Sequence, residues 1–493
     1  MKPEAPQSAA TPNRTQGGAL EQWADHAFAR AAGAELIPGN RARILCDADE
    51  NYSAWLDAIR NATRAIFFET YIFANDEVGR EFVSALAERA RSGVRVRVLY
   101  DWFGTPRARV FAPLVSAGGV VRRYNPPRLD SPLGWLARDH RKMIALDGHS
   151  GFVSGLCVSL KWCGDSARGI DPWRDTGVEV VGPAVAELER AFADVWGATG
   201  KALPRAELTA GEAIPVAGKV PLRVIAGVPN RAGVFRTDQL VAALARERLW
   251  LTDAYFVGLA SYVQALRAAA RDGVDVRLLV PGASDVPLVS RLSRAGYRPL
   301  LEAGVRVFEW NGSMLHAKTA VADRHWARIG STNLNIASWL SNCELDVAIE
   351  DEGVAAEMAA LYERDLARST EIVLGRRYRP HAVSEKRQDL HKRATSGSAG
   401  RAAAGALSVG NIMGAALANR RKLGPSEATL LADVAMVVAA LAIIAALWPR
   451  LVAYPFAFIA FWFAGATLFR AVKLRRGGAR ARDNGETAAR RRQ

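Results

Sequence analysis

The chain has 493 residues, half of them hydrophobic, and a formal net charge of +15. It is too long for one ordinary domain and suits two or three. The basic balance favours an anionic partner: nucleic acid, an anionic membrane or a phosphorylated substrate. Four cysteines, Cys46, Cys157, Cys163 and Cys343, form no CxxC pair, so neither a disulfide framework nor a common zinc pattern is indicated.

Residues 1–33 carry no apolar stretch after their first charges and read as a disordered leader, not a signal peptide. Two halves then follow, 34–205 and 218–383, and they write the same elements in the same order. RAIFFETYIF (64–73) resembles RLWLTDAYFV (248–257), and SGVRVRVLYD (92–101) resembles DGVDVRLLVP (272–281). GGVVRRYN (118–125) likewise matches AGVRVFEW (303–310). In each half a helical stretch closes on Gly and runs into a β-rich segment, which predicts an α/β fold of sheet covered by helices. The expected architecture is a duplication: two mixed sheet-and-helix halves about a pseudo-twofold axis.

Beyond a linker at 394–424, residues 428–448 and 451–469 are each long and apolar enough to cross a hydrocarbon core of roughly 30 Å. Only Pro449 and Arg450 separate them, so 428–469 is expected to form a transmembrane helical hairpin. Arg420, Arg421 and Lys422 precede it, and Arg470, Lys473, Arg475 and Arg476 follow it, which places both outer ends in the cytoplasm. The tail 470–493 is basic and suited to anionic headgroups.

The chemistry lies in a polar skeleton that occurs twice. DHRKMIALD (139–147) and LHAKTAVAD (315–323) share His, one residue, Lys, four residues, Asp. On a strand, His140 and Lys142 share a face, as do His316 and Lys318, while Asp147 and Asp323 point to the opposite face and suit a structural role. Packed about a twofold, the pairs give one pocket two histidines and two lysines. Phosphate-ester cleavage wants that set. Lysines neutralise the non-bridging oxygens, one histidine attacks phosphorus, and the other serves as general acid and then base. Small residues follow each segment: Gly330, Ser331, Thr332 and Asn333 in the second half, Ser154, Gly155, Leu156 and Cys157 in the first. Ser331 and Asn333 are candidate phosphate ligands. An acid comes further on in each half, Asp175 and Glu344, suited to support a histidine, its own or the other half's. Glu69 and Asp253, at matching strand ends, suit a structural role.

These residues resemble the phospholipase D superfamily, whose signature is a pair of HxKxxxxD motifs with a following small-residue turn. The resemblance covers roughly residues 34–380. Residues 39–82 and PWRDTGVEVVGPAV (172–185) resemble bacterial cardiolipin synthases, especially the shorter B-type. Ser154 and Cys157 stand where the family usually has Gly and Asn, and Gly177 stands where synthases commonly carry His. The resemblance implies a duplicated phospholipase D-like fold with His140, Lys142, Asp147, His316, Lys318 and Asp323 as the catalytic motifs. His140 is the implied nucleophile, Asp175 and Glu344 support the histidines, and Ser331 and Asn333 hold phosphate. It implies no metal or other cofactor, and phosphatidylglycerol as substrate. The expected activity is cardiolipin formation at the bacterial inner membrane, with the catalytic region facing the cytoplasm. The alternatives are a phospholipase D-type hydrolase or a transferase with another donor or alcohol, a nucleic-acid phosphodiesterase, which the hairpin argues against, and a non-catalytic membrane scaffold.

Overall fold

The computed structural model describes residues 24–374, apart from 107 and 128–135, together with scattered positions between 435 and 468. The first half contributes β1 (Ile37–Cys46), β2 (Ala65–Thr70), β3 (Arg95–Asp101), β4 (Val120–Tyr124), β5 (Met143–Leu146), β6 (Ser150–Ser154) and β7 (Thr176–Val181). The second contributes β8 (Val220–Gly227), β9 (Arg248–Thr252), β10 (Asp275–Pro281), β11 (Arg306–Trp310), β12 (Thr319–Ala322), β13 (Trp326–Gly330), β14 (Glu344–Ile349) and a short edge strand, β15 (Ser369–Ile372).

The strands form one mixed sheet in the order β15-β11-β10-β9-β12-β13-β14-β8-β1-β7-β6-β5-β2-β3-β4. Read outward from the β8–β1 seam, the order on one side repeats that on the other. The pseudo-twofold expected from the repeated segments therefore passes through that seam. In each half a helix joins two parallel strands: Glu77–Arg91 links β2 to β3, and Ala260–Arg271 links β9 to β10. These helices end at matched positions because Gly93 and Gly273 take the left-handed conformation (φ 89° and 92°), which a side chain disfavours. Asp76 caps the first of them by accepting from the Gly79 amide at 2.9 Å.

Every residue of β2 is buried, as expected of a strand covered on both faces. One apolar cluster draws on both halves and includes Phe67, Val178, Phe192 and Trp196 from the first and Trp250, Val321, Val347 and Tyr362 from the second. A second cluster lies within the first half, around Phe82 and Trp55, and a third, around Leu266 and Tyr262 of the second half, also takes in Ala32 from near the N-terminus. The shared cluster holds the two halves in register, so side chains meeting across the seam are placed by packed core rather than by loops.

Residues 1–23 of the expected disordered leader, the linker and the basic tail lie outside the described residues, as does much of 428–469. Residues 24–32 are helical rather than disordered, because Phe28 and Ala32 pack on the second half's core and Asp25 pairs with Arg223. Described positions within 428–469 are mostly helical, and among the described residues no helix is long and apolar enough to cross a membrane.

Candidate active site

The two histidine segments do not begin as paired strand. β5 and β12 start at Met143 and Thr319, after each lysine, and the histidines sit in extended chain just ahead of them. That chain is stitched across the seam. The His140 amide donates to the Cys343 carbonyl at 2.9 Å, and the Cys343 amide to the Arg138 carbonyl at 2.8 Å. In the other direction, the His316 amide donates to the Arg174 carbonyl at 2.7 Å and the Arg174 amide to the Met314 carbonyl at 2.9 Å. Cys343 precedes Glu344 and Arg174 precedes Asp175. Each backbone stitch therefore brings a histidine beside the other half's acid.

The side chains complete that exchange. His140 Nδ1 lies 3.0 and 3.1 Å from the two carboxylate oxygens of Glu344, and His316 Nδ1 lies 2.8 Å from Asp175 Oδ2. A carboxylate can only accept, so each Nδ1 carries the proton and each Nε2 keeps its lone pair. The acids are themselves held. Ser331 Oγ donates to Glu344 at 2.6 Å, and the Trp162 indole donates to Asp175 at 3.0 Å. Lys142 donates to the His140 carbonyl and Lys318 to the His316 carbonyl, and the Lys318 ammonium lies 3.0 Å from His316 Nδ1.

Burial and positive charge set the protonation states. Burial, only partly opposed by Glu344, brings His140 down to about 4, with Lys142 adding to the shift. Burial and the Lys318 ammonium bring His316 down to about 3 against the pull of Asp175. Burial also lowers Lys318 to about 8 and Lys142 below its usual range. It raises Asp175 and Glu344 as well, but the histidine and lysine beside each outweigh it, and both carboxyls end below their usual range. At neutral pH these groups are thus two neutral imidazoles, two carboxylates and two lysines.

His140, Lys142 and His316 line one narrow pocket of about 20 Å³, shared with Tyr71, Cys157, Lys161, Trp162, Trp173, Tyr255 and Asp285. That is room for roughly one water, so a phosphodiester enters only if lining side chains give way. Among the lining side chains, Lys142 is bent back onto the His140 carbonyl. Tyr71 meets His140 edge-on at 5.1 Å between ring centroids, and Tyr255 meets His316 at 5.8 Å. Sequence reasoning did not name these tyrosines as site residues, although the matched ETY and DAY segments carry them.

The remaining candidates fall into separate places. Ser331 was expected on phosphate, but its hydroxyl proton goes to Glu344 and its oxygen accepts from the Leu345 amide at 2.9 Å, so here it serves the acid. Asn333 is buried, with Nδ2 3.4 Å from Ser338 Oγ, next to a single π turn at Ala337–Ser341. Asp147 and Asp323 are not brought to the pocket. Both occupy left-handed turns (φ 57° and 49°) at the far end of β5 and β12. Asp147 accepts from the amides of Thr63, Arg64 and Ala65 and from the Thr63 hydroxyl at 2.7–3.0 Å. Asp323 accepts from the amides of Arg246, Glu247 and Arg248 at 2.8–3.2 Å. Each Asp pins its hairpin to the start of β2 or β9, which holds the histidine at the other end. Asp147→Ala is expected to destabilise the protein by about 2 kcal/mol, since it strands several amides at once. A thermal melt of the variant checks this, and an unchanged midpoint would contradict it.

Glu69 is fully buried, and burial raises its carboxyl to about 7 against the opposing charge of Arg141. Asp253 accepts from the amides of Leu334 and Tyr255 at 2.9 and 3.1 Å and fixes the turn after Asn333. Cys157 lines the pocket, and its carbonyl accepts from the Tyr52 hydroxyl. A Cβ on Gly177 would lie 2.0 Å from Asn51 Oδ1, so a histidine at this place requires Asn51 to move.

A duplicated sheet that brings two His-Lys pairs together, each histidine backed by an acid from the opposite half, defines the phospholipase D-like class. Comparison with known proteins narrows this. Residues 241–366 match the family model described as cardiolipin synthase, PLD-like domain. Cardiolipin synthase A of Pseudomonas fluorescens (strain SBW25) is 35% identical over 68% of this chain and 70% of its own length. Cardiolipin synthase A of Pseudomonas aeruginosa (strain LESB58) is 33% identical over 70% and 71%, and cardiolipin synthase of Staphylococcus aureus (strain Mu50) is 30% identical over 69% and 70%. The chain belongs to the phospholipase D-like cardiolipin synthase family. The crystal structure of phosphatidylserine synthase from Haemophilus influenzae Rd KW20 shares the fold, with a TM-score of 0.59 at 14% identity over 75% of this chain and 97% of that one.

Proposed function

We propose that the protein is a phosphatidyltransferase that makes cardiolipin from two phosphatidylglycerol molecules and releases glycerol. The observation that carries this reading is the cross-seam exchange of partners, His140 with Glu344 and His316 with Asp175. It gives one pocket two imidazoles held in a defined tautomer, as covalent phosphoryl transfer requires.

In the first step His140 Nε2 attacks phosphorus, the phosphorus–oxygen bond to glycerol breaks, and His316 gives its proton to the departing oxygen. In the second, the terminal hydroxyl of another phosphatidylglycerol attacks the phosphatidyl-histidine, the phosphorus–nitrogen bond breaks, and His316 takes the proton back. The His140 side chain, 12% exposed against 5% for His316, is the more open to attack. Lys142 and Lys318 leave their carbonyls to meet the non-bridging oxygens, and Asn333 adds a donor. The bound phosphate anion then offsets the lysine charge that depresses His316, which lets that imidazole carry the proton it needs. Phosphate-ester energy is kept in the phosphohistidine, so the transfer needs no nucleotide.

We also propose that 428–469 anchors the catalytic region at the inner face of the bacterial membrane. The large apolar side chains described there, Met436, Leu447, Trp448, Phe458 and Phe461 among them, are exposed, and a lipid phase would cover them. Purified full-length protein given phosphatidylglycerol vesicles, without nucleotide, is expected to yield cardiolipin and free glycerol. Phosphatidic acid in place of cardiolipin would make the enzyme a hydrolase, and no lipid turnover would overturn the reading.

A further inference from the structure

The pocket contains one group that does not suit a phosphate. Asp285 lines it together with both histidines, Lys142 and Lys161. A carboxylate repels a phosphate oxygen and can only accept hydrogen bonds. It is nevertheless set firmly in place: Tyr255 donates its hydroxyl to Asp285 Oδ1 at 2.7 Å, and the same tyrosine packs edge-on against His316. Asp285 therefore belongs to the His316 side of the pocket.

The duplication shows that this is not part of the common scaffold. Tyr71 is the counterpart of Tyr255 and packs on His140 in the same way. Counting along the matched segments, however, the position of Asp285 falls on Thr105 in the first half. Thr105 is buried, and its hydroxyl donates to the Tyr71 carbonyl at 3.2 Å and accepts from the Phe73 amide at 2.9 Å. One half closes this position with a neutral backbone tie, while the other turns a carboxylate toward the pocket.

We propose that Asp285, positioned by Tyr255, is the polyol-recognition residue of the active site: it accepts hydrogen bonds from the hydroxyls of the glycerol unit whose reacting oxygen faces His316. This rests on the two-histidine reading above and deepens it. If His140 holds the phosphatidyl group, the leaving alcohol and the attacking alcohol use the same side of phosphorus, the side that His316 serves. In cardiolipin formation both are glycerol units. The departing glycerol offers its remaining hydroxyls, and the headgroup of the second phosphatidylglycerol offers its central one. A carboxylate beside the acid–base histidine binds such donors and discriminates against alcohols that lack them.

The test is acceptor competition. Full-length wild type, Asp285→Asn and Tyr255→Phe are each given phosphatidylglycerol vesicles with equal concentrations of isotope-labelled glycerol and 1-propanol. The readout is the ratio of labelled phosphatidylglycerol to phosphatidylpropanol, which does not depend on how much active enzyme is present. Wild type is expected to favour glycerol, and both variants are expected to lower the ratio about 10-fold, the size of one lost hydrogen bond to a charged group. A ratio unchanged in the variants overturns the inference and leaves the transferase reading intact. If Asp285→Asn does not fold, the ratio in Tyr255→Phe decides. Wild type that transfers to neither alcohol overturns the transferase reading itself, and the inference with it.

Discussion

His140→Ala and His316→Ala are each expected to abolish cardiolipin formation from phosphatidylglycerol vesicles, with losses of at least ~10³–10⁴-fold. The two histidines act in successive halves of one cycle, so losing either stops turnover. The double variant is then expected to be no worse than the singles, the non-additivity of groups that work as a unit. Neither substitution touches the shared apolar cluster, so thermal melts should stay cooperative. Initial rates of lipid product formation check the claim. A single variant with more than a tenth of wild-type activity would show that its histidine is not essential.

The second large effect concerns the acids. Glu344→Gln and Asp175→Asn keep the shape of each carboxyl but remove its charge, so the tautomer of the facing histidine is no longer enforced. Losses of ~10²–10⁴-fold in kcat are expected. The pH dependence carries a sign. Each carboxylate raises the pKa of its histidine against burial and the lysines. Its loss lowers that pKa further. In Glu344→Gln the nucleophile His140 stays deprotonated to lower pH, so the acid limb of the rate profile moves down. In Asp175→Asn the proton donor His316 loses its proton earlier, so the alkaline limb moves down. A limb moving up, or Glu344→Gln shifting only the alkaline limb, would contradict the cross-seam assignment.

What was legible in the sequence is what the duplication writes twice. His140, Lys142, His316 and Lys318 stood out because the same spacing recurs at matched places, and the matched segments anticipated the mirrored strand order around the β8–β1 seam. The structural role suggested for Asp147 and Asp323 by their odd spacing agrees with their place in left-handed turns, although the strands begin later than that spacing assumed. Which acid serves which histidine was not legible, because the backbone stitches between Asp139 and Cys343, and between Arg174 and Leu315, are tertiary bridges. Ser331 reads as a phosphate donor until Glu344 is seen to take its proton. Trp162 and Asp285 occur in one half only, so comparison of the halves gave them no signal, and only the folded pocket brings them beside the histidines.

The central claim is that two histidines carry the phosphatidyl group through two displacements at phosphorus. The most direct measurement uses phosphatidylglycerol with one non-bridging phosphate oxygen replaced by sulfur, of known configuration, and determines the configuration in the cardiolipin formed. Each in-line displacement inverts phosphorus, so a phosphohistidine intermediate predicts net retention. Net inversion would mean that the acceptor attacks the donor directly, and that no covalent histidine intermediate forms.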